Sequence, residues 1–254
     1  MTTTLPVLAK QVSGALFGGL FEPGAPFVRR LAIIGGFSAS GARLAAGTLV
    51  RGVGALRPAK PLRLWDRERC PHSRAVRESL SELDLDFEVR PCPIGGKRFH
   101  DPNAASCTPR LEDPNVNGTF DGRINILAHL HGVYGDGSSR WFLASTPVVV
   151  LGSLGMRLMQ GNRGGDVRPS RAPEKQLELW GFESSPYCHF VRAALSELEL
   201  PYVQHNLAKD SPKRAAFVEK TGKSQFPYLE DPNTGEKLFE SARIVDYLRK
   251  TYGA

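Results

Sequence analysis

Two stretches of the chain begin alike, Leu62-Arg63-Leu64-Trp65 and Leu177-Glu178-Leu179-Trp180, and then keep one internal spacing. Trp180 follows Trp65 by 115 positions, Ser185 follows Cys70 by the same interval, and Val191-Arg192 follows Val76-Arg77 likewise. A 254-residue chain that repeats itself in this way is constrained to two units of one design. Units of roughly 100–130 residues are long enough to bury their own cores. The division expected is an N-terminal extension over 1–24, a first unit over 25–137 and a second over 138–254.

Within each unit the hydrophobic pattern changes period. In the first, Leu62 to Trp65 reads as a short strand. The helix after Cys70-Pro71 places Ala75, Val76, Ser79, Leu80 and Leu83 on one face. Phe87 to Arg90 is a second strand, Asp113-Pro114-Asn115 a turn, and Ile124, Ile126, Leu127, Leu130 and Tyr134 mark a closing helix. The second unit repeats the order with strands at Leu177 to Trp180, Tyr202 to Asn206 and Lys237 to Phe239, and helices carrying Phe190 to Leu198 and Ser241 to Tyr252. The order βαβ(α)ββα, with a helix directly after the first strand, implies an α/β fold with a mixed sheet and helices on its faces.

Both units are preceded by an apolar segment. Phe27 to Val50 is interrupted by Arg29, Arg30 and Arg43, and Phe142 to Gln160 carries Arg157 alone. Gly41-Ala42-Arg43-Leu44 parallels Gly155-Met156-Arg157-Leu158, so the duplication includes an apolar leading helix. A membrane span needs about 20 apolar residues. The Gly and Ser content favours a buried helix, with peripheral membrane contact and a true span as alternatives. Residues 1–61 hold seven Lys or Arg against one acid, Glu22, which has the flavour of an organelle transit peptide. A cleaved peptide would not recur in mid-chain, so residues from about 25 onward are read as folded protein.

The net charge of +7 is spread without aromatic interleaving, which argues for a basic soluble surface rather than a nucleic-acid partner and suits an anionic peptide ligand. Four cysteines, Cys70, Cys92, Cys107 and Cys188, are too few for a disulfide scaffold and form no CxxC pair, so a reducing compartment and no zinc ribbon are expected. His129 and His131 lie two apart on a helix and face different ways, a poor metal pair; no metal site is expected.

Cys70 carries the chemistry of the first unit. It stands where a loop meets a helix, and the positive end of the helix dipole stabilises a thiolate there. Arg67, Arg69 and Arg74 add positive charge. A packing cysteine is the alternative. Ser73 holds the fourth position, so disulfide chemistry would use one thiol and either an external partner or a distant one such as Cys107. The second unit has the complementary arrangement, with Ser185 at the nucleophile position and Cys188, expected to be buried, at the fourth. Ser185 can hydrogen-bond an incoming thiolate or serve as a plain N-cap, and both readings are open. His72 and His189 sit in the active loops, where they can tune a neighbouring thiol.

Ser185-Pro186-Tyr187-Cys188, Gln225-Phe226-Pro227-Tyr228-Leu229, and Glu240-Ser241 ahead of Ile244-Val245-Asp246-Tyr247-Leu248 resemble the glutathione S-transferase N-terminal domain, a thioredoxin-fold module close to glutaredoxins. The resemblance covers about 62–135 and 177–254. It implies two tandem thioredoxin-like domains, each a mixed β-sheet flanked by helices and preceded by an apolar helix. It also implies a cis bond before Pro227, a cysteinyl seat on the Phe226 backbone, and a γ-glutamyl seat on Glu240 and Ser241. Ser241 opens a helix, where an N–H and a hydroxyl hold a carboxylate well. The first unit matches at Cys70-Pro71 and Thr108-Pro109, but Gly122-Arg123 replaces the Glu-Ser pair, and Arg123 can hold a carboxylate differently. The family's transferases follow this domain with an all-helical one, which this sequence does not show after Tyr252. The tandem arrangement resembles proteins of cyanobacteria and plastids, which implies a chloroplast location, with the cytoplasm as alternative.

The function expected is glutathione-linked thiol–disulfide exchange by a one-thiol, glutaredoxin-like mechanism at Cys70. Glutathione would be the cofactor and thiol-bearing proteins the further partners. The alternatives are a non-catalytic scaffold with decayed sites and a glutathione transferase using Ser185.

Overall fold

The computed structural model describes residues 47–99, 109–138 and 163–254. The N-terminal extension, the apolar leading segments up to residue 46 and over 142–160, Cys107 and Thr108 lie outside them. The first half runs β1 (Leu62–Asp66), α1 (Pro71–Glu82), β2 (Phe87–Pro91), β3 (Arg110–Asp113), β4 (Gly118–Asp121) and α2 (Arg123–Val133). The second runs β5 (Leu177–Gly181), α3 (Pro186–Glu197), β6 (Tyr202–Asn206), α4 (Lys213–Thr221), β7 (Tyr228–Glu230), β8 (Lys237–Phe239) and α5 (Ser241–Tyr252). The strands and helices located from the sequence are found to within a residue or two, and the structure adds β3, β4 and β7, whose positions the sequence pattern did not single out.

All eight strands form one sheet in the order β4-β3-β1-β2-β6-β5-β7-β8. In each half the first two strands are parallel and the last two run antiparallel. The halves join through antiparallel β2 and β6, where Phe87 pairs with Gln204, Glu88 with Val203 and Val89 with Tyr202. Glu88 and Val203 are equivalent positions 115 apart, so a pseudo-two-fold axis passes through that pair. The arrangement is an isologous dimer interface written into one chain. One contiguous core, from Leu62 and Leu80 through Tyr202 to Leu248 and Tyr252, runs through both halves.

Alternation explains the strands. Leu62, Leu64 and Asp66 of β1 point inward, as do Leu177, Leu179 and Gly181 of β5. Helix α1 departs from the one-faced pattern expected of it. Every residue from Ser73 to Ser81 is buried, including Arg74, Arg77 and Glu78. Its polar side is covered by the Gly47 segment, by His131 of α2 and by Glu183 of the other half.

The contact from the other half is ionic. Arg77 donates to Asp66 at 2.6 Å and to Glu183 of the other half at 3.0 Å. Its counterpart Arg192 pairs with Glu68 of the other half at 3.1 Å and with Glu183 of its own at 3.1 Å. Arg77 also lies 3.3 Å from Glu68, so two arginines and two glutamates close a reciprocal quartet across the axis. His189 adds a 2.6 Å contact to Glu68. Burial opposes the charge on Glu68, but Arg192 and Arg77 outweigh it and hold its carboxyl well below the ordinary range. At Asp66 burial wins over Arg77 and pushes the carboxyl up to about 6.

The segments before the two halves cross over. Leu49 bridges to Lys209 of the second half, and Asp166 bridges to Ile94 of the first. Ser81 donates to the Gly47 carbonyl and Ser196 to the Gly164 carbonyl, each at 3.0 Å. Gly47 (φ +71) and Gly164 (φ +69) adopt left-handed backbone in this crowded place, where an added Cβ would meet Glu183 or Glu68 at 3.1 Å. Lys213 reaches Asp84 of the first half at 3.2 Å, and the equivalent Arg98 donates its backbone N–H to Glu199 of the second at 2.9 Å. Among the described residues no helix is long and apolar enough to cross a membrane.

Removing one arginine of the quartet leaves buried carboxylates uncompensated. Arg192→Ala is expected to lower the unfolding free energy by about 3–5 kcal/mol, whereas Lys220→Ala, which breaks the exposed pair with Glu230, should cost less than about 1 kcal/mol. Denaturant unfolding of both variants checks the contrast. A second expectation concerns pH. Burial disfavours charge on His205, but its bonds to Asp86 (2.9 Å) and Glu178 (2.5 Å) more than offset this and raise its pKa. Its stabilising contribution is therefore complete below the unfolded value of about 6.5 and fades as pH rises through the folded value. The stability gap between wild type and His205→Gln should shrink across that window; a gap that widens with pH would contradict the assignment.

Candidate functional site

Each half builds its site where the loop after its first strand meets a helix. Pairing of Trp65 with Arg110 brings Pro109 level with the end of β1, and pairing of Trp180 with Tyr228 does the same for Pro227 and Gly181. The Phe226–Pro227 bond is cis, as the resemblance implied. Thr108 lies outside the described residues, so the equivalent step in the first half is represented by Pro109 alone.

Cys70 is the N-cap residue of α1, with extended backbone (φ −80, ψ 123), a side chain making no cap hydrogen bond, and partial exposure. Pro71 occupies the first helical turn, where its missing N–H costs nothing. Two of the arginines expected to support the thiol are engaged elsewhere. Arg67 donates to the Cys92 carbonyl at 3.0 Å, and Arg74 pairs with Glu78 at 2.9 Å. His189 points into the interface toward Glu68 and not toward a thiol.

In the second half Ser185 is 6% exposed, and its hydroxyl accepts from the Cys188 N–H at 3.3 Å. That bond is a helix cap, and the hydroxyl keeps its own hydrogen to donate. The loop is covered by Thr48, whose hydroxyl donates to Ser184 at 2.8 Å. Cys188 is buried, and burial pushes its thiol up. Its Sγ fills the space left by Gly181, where a Cβ would approach to 2.6 Å. In the first half the same two positions are Ser73 and Asp66, so the smaller side chain on the helix accompanies the larger one on the strand.

The second half also sets an acid directly ahead of a helix start. Glu240 precedes α5 with φ 72 and ψ 115, a conformation L-residues seldom adopt. Its carboxylate accepts from the Gln225 side chain. Ser241, the first residue of α5, is 4% exposed and presents a helix-terminal N–H with no partner inside the helix. A carboxylate fits that N–H and hydroxyl, and an ammonium fits Glu240. Beside them Phe226 packs on Phe217 (5.0 Å) and Phe182 (6.1 Å), with the Arg214 guanidinium 5.2 Å from its ring. Arg214 is fixed by donating to the Leu207 and Ala208 carbonyls at 3.1 and 3.0 Å.

In the first half Gly122 repeats the unusual backbone (φ 77, ψ 150) and Arg123 opens α2. The Gly122 N–H donates to the Pro109 carbonyl at 3.0 Å, which ties the helix start to the proline. His72, exposed on α1, is held below the ordinary imidazole value by burial and by the Arg123 charge. Among the described residues no group of His, Cys, Asp or Glu is placed to hold a metal.

Sequence reasoning missed the quartet and Gln225. A signal for the quartet was available: Glu68 and Glu183, and Arg77 and Arg192, are identical charges at equivalent repeat positions.

Comparison with known proteins bears on this geometry. The family model for the glutathione S-transferase N-terminal domain matches residues 64–122 and 179–254, together just over half of the chain. A glutathione S-transferase-like protein, OpS6, of Beauveria bassiana is 30% identical over 76 residues, which are 30% of this chain and 35% of the relative. The chain thus spans about a third of that relative's length. No solved structure matches.

Glu240 holds a positive-φ backbone that a non-glycine residue seldom adopts. Glu240→Gly is expected to raise the unfolding free energy by about 1 kcal/mol, even though the Gln225 bond is lost. A denaturant midpoint unchanged or lowered would show that the conformation carries no strain.

Proposed function

Because the chain belongs to the glutathione S-transferase N-terminal domain family, we propose that it is a glutathione-linked thiol–disulfide exchange protein whose reacting thiol is Cys70. The observation that carries this reading is the asymmetry of the two sites. Cys70 is partly exposed at a helix N-terminus with its thiol in no cap bond, while Ser185 is a buried cap. The Cys70 thiolate attacks one sulfur of a disulfide, a new S–S bond forms, the old one breaks, and the departing half leaves with the electron pair as a thiolate. A second thiol, glutathione, then attacks the mixed disulfide and returns Cys70 to its reduced form. Ser73, at the position of a resolving thiol, cannot release the adduct itself.

The acid and helix start of the second half, which together suit a zwitterion, support glutathione as the thiol held there. Its γ-glutamyl carboxylate suits Ser241 and the start of α5, its ammonium suits Glu240, and the backbone beside Pro227 suits its cysteinyl portion. The capped, covered hydroxyl of Ser185 favours binding over transferase chemistry in that half.

Incubation with oxidised glutathione followed by intact-mass analysis tests the reading. One glutathione adduct is expected, on Cys70, forming faster than on free cysteine, absent from Cys70→Ser and removed by reduced glutathione. Reaction no faster than free cysteine would leave a non-catalytic binding protein as the better account.

A further inference from the structure

The loop that carries Cys70 is held from the other half of the chain. It runs from Arg67 to Cys70 and is turned by the Cys70 N–H, which donates to the Arg67 carbonyl at 2.8 Å. Within it Glu68 alone is buried, its side chain 1% exposed. Two side chains of α3 close on that carboxylate. His189 Nδ1 lies 2.6 Å from Oε1, and Arg192 Nε lies 3.2 Å from Oε1 and 3.1 Å from Oε2. Arg77 of its own half adds a contact at 3.3 Å. Burial opposes the charge, but Arg192 and Arg77 keep this carboxyl ionised. A carboxylate can only accept, so His189 Nδ1 is the donor. The other ring nitrogen is buried and has no partner among the described residues. Gly164 of the second half closes over the same side chain, where a Cβ would meet that of Glu68 at 3.1 Å.

The histidine breaks the symmetry of the interface. Its equivalent 115 positions earlier is Arg74, which pairs with Glu78 one turn along its own helix at 2.9 Å. In α3 the equivalent of Glu78 is Ala193, so His189 has no acid at that step and turns across the axis to Glu68. The Ser185 loop is held by Arg77 at Glu183 and by Thr48 at Ser184. The histidine clamp thus belongs to the loop whose thiol is partly exposed. An imidazole buried with one nitrogen unpaired costs stability that an apolar side chain would not, so its gain lies in the hold on Glu68. Disulfide exchange needs the attacking sulfur in line with the bond it breaks, and a misplacement of about 1 Å in such a geometry costs up to ~100-fold in rate.

We propose that His189 and Arg192 of the second half are positioning residues for Cys70 of the first. By fixing Glu68, two residues ahead, they hold the thiol at the start of α1, so exchange in one half depends on side chains of the other. This rests on Cys70 being the exchanging thiol. The two residues differ in what else they do. Arg192 also pairs with Glu183 at 3.1 Å and closes the quartet, so its loss strikes the fold as well. His189 makes its ionic contact with Glu68 and lies outside the quartet, which lets positioning be separated from folding.

The full chain is compared with His189→Leu, His189→Asn and Lys213→Ala. The asparagine amide reaches the place of Nδ1 and keeps a donor for Glu68. Lys213→Ala breaks a different ionic contact between the halves, at Asp84 and Asp86. Each protein is incubated with oxidised glutathione, and the rate of adduct formation on Cys70 is read beside the alkylation of Cys92, a buried cysteine whose labelling reports opening of the first half. His189→Leu should slow the adduct by about tenfold. His189→Asn should recover most of the rate and Lys213→Ala should leave it unchanged, with Cys92 protected throughout. Loosening of the fold alone acts the other way, since it makes both thiols more accessible. A wild-type rate in His189→Leu, a slowing shared in full by His189→Asn or Lys213→Ala, or a slowing accompanied by labelling of Cys92 overturns the positioning role and leaves exchange at Cys70 standing. A wild-type Cys70 no faster than free cysteine overturns the exchange reading and this inference with it. If His189→Leu fails to fold, Glu68→Gln takes its place: it loses the charge that draws His189 and Arg192, and a wild-type rate in it overturns the proposal.

Discussion

Four buried charges decide how the two halves meet. Glu68, Glu183, Arg77 and Arg192 lie at the pseudo-two-fold axis, each arginine bound to a glutamate of the opposite half. Such a cluster gains little net stability over apolar packing, because desolvating four charges offsets most of their attraction. What it supplies is orientation. The β2–β6 seam pairs only Phe87 to Val89 with Tyr202 to Gln204, and short antiparallel seams slip readily. A one-residue slip would separate every ion pair at once, leaving charges buried alone. The quartet thus penalises every register but one, and the crossed segments at Gly47 and Gly164 close over it.

The position of the quartet also shapes the chemistry. Glu68 lies two residues before Cys70, and Glu183 two before Ser185, so both nucleophile loops are anchored at the interface. The loop of the second half is covered further by Thr48, and its hydroxyl serves as a cap. The loop of the first half keeps its thiol partly exposed. A shared scaffold holds complementary groups in its two halves: one has a partly exposed sulfur, the other an acid and a hydroxyl at a helix start.

Local order was legible in the sequence and the assembly was not. Alternation in Leu62–Asp66 and Leu177–Gly181, Pro at the starts of α1 and α3, and the Asp-Pro-Asn turns fixed the elements closely, because each signal acts within a few residues. The cis step at Pro227 followed from family resemblance, and the helix from Ser241 from the pattern that runs to Tyr252. The burial of both sides of α1 did not follow from its periodicity, since one apolar face predicts one buried face. The second carries polar side chains whose partners lie elsewhere in the chain, 52 positions away for Ser79 and His131 and 106 for Arg77 and Glu183. Pairing over that distance leaves no periodic trace, only the recurrence of the same charges in both copies. The role of Ser185 stayed open for a related reason: a capping hydroxyl and a catalytic one occupy the same residue at the same helix position, and the bond accepted from the Cys188 N–H is one that either can make.

The division of labour between the halves is the central claim, and backbone amide shifts recorded while reduced glutathione is added test it most directly. The account predicts changes at Phe226, Tyr228, Glu240 and Ser241, with the amides of Arg110, Gly122 and Arg123 left in place. Changes confined to Arg110, Gly122 and Arg123, or none in either half at glutathione concentrations found in cells, would contradict it.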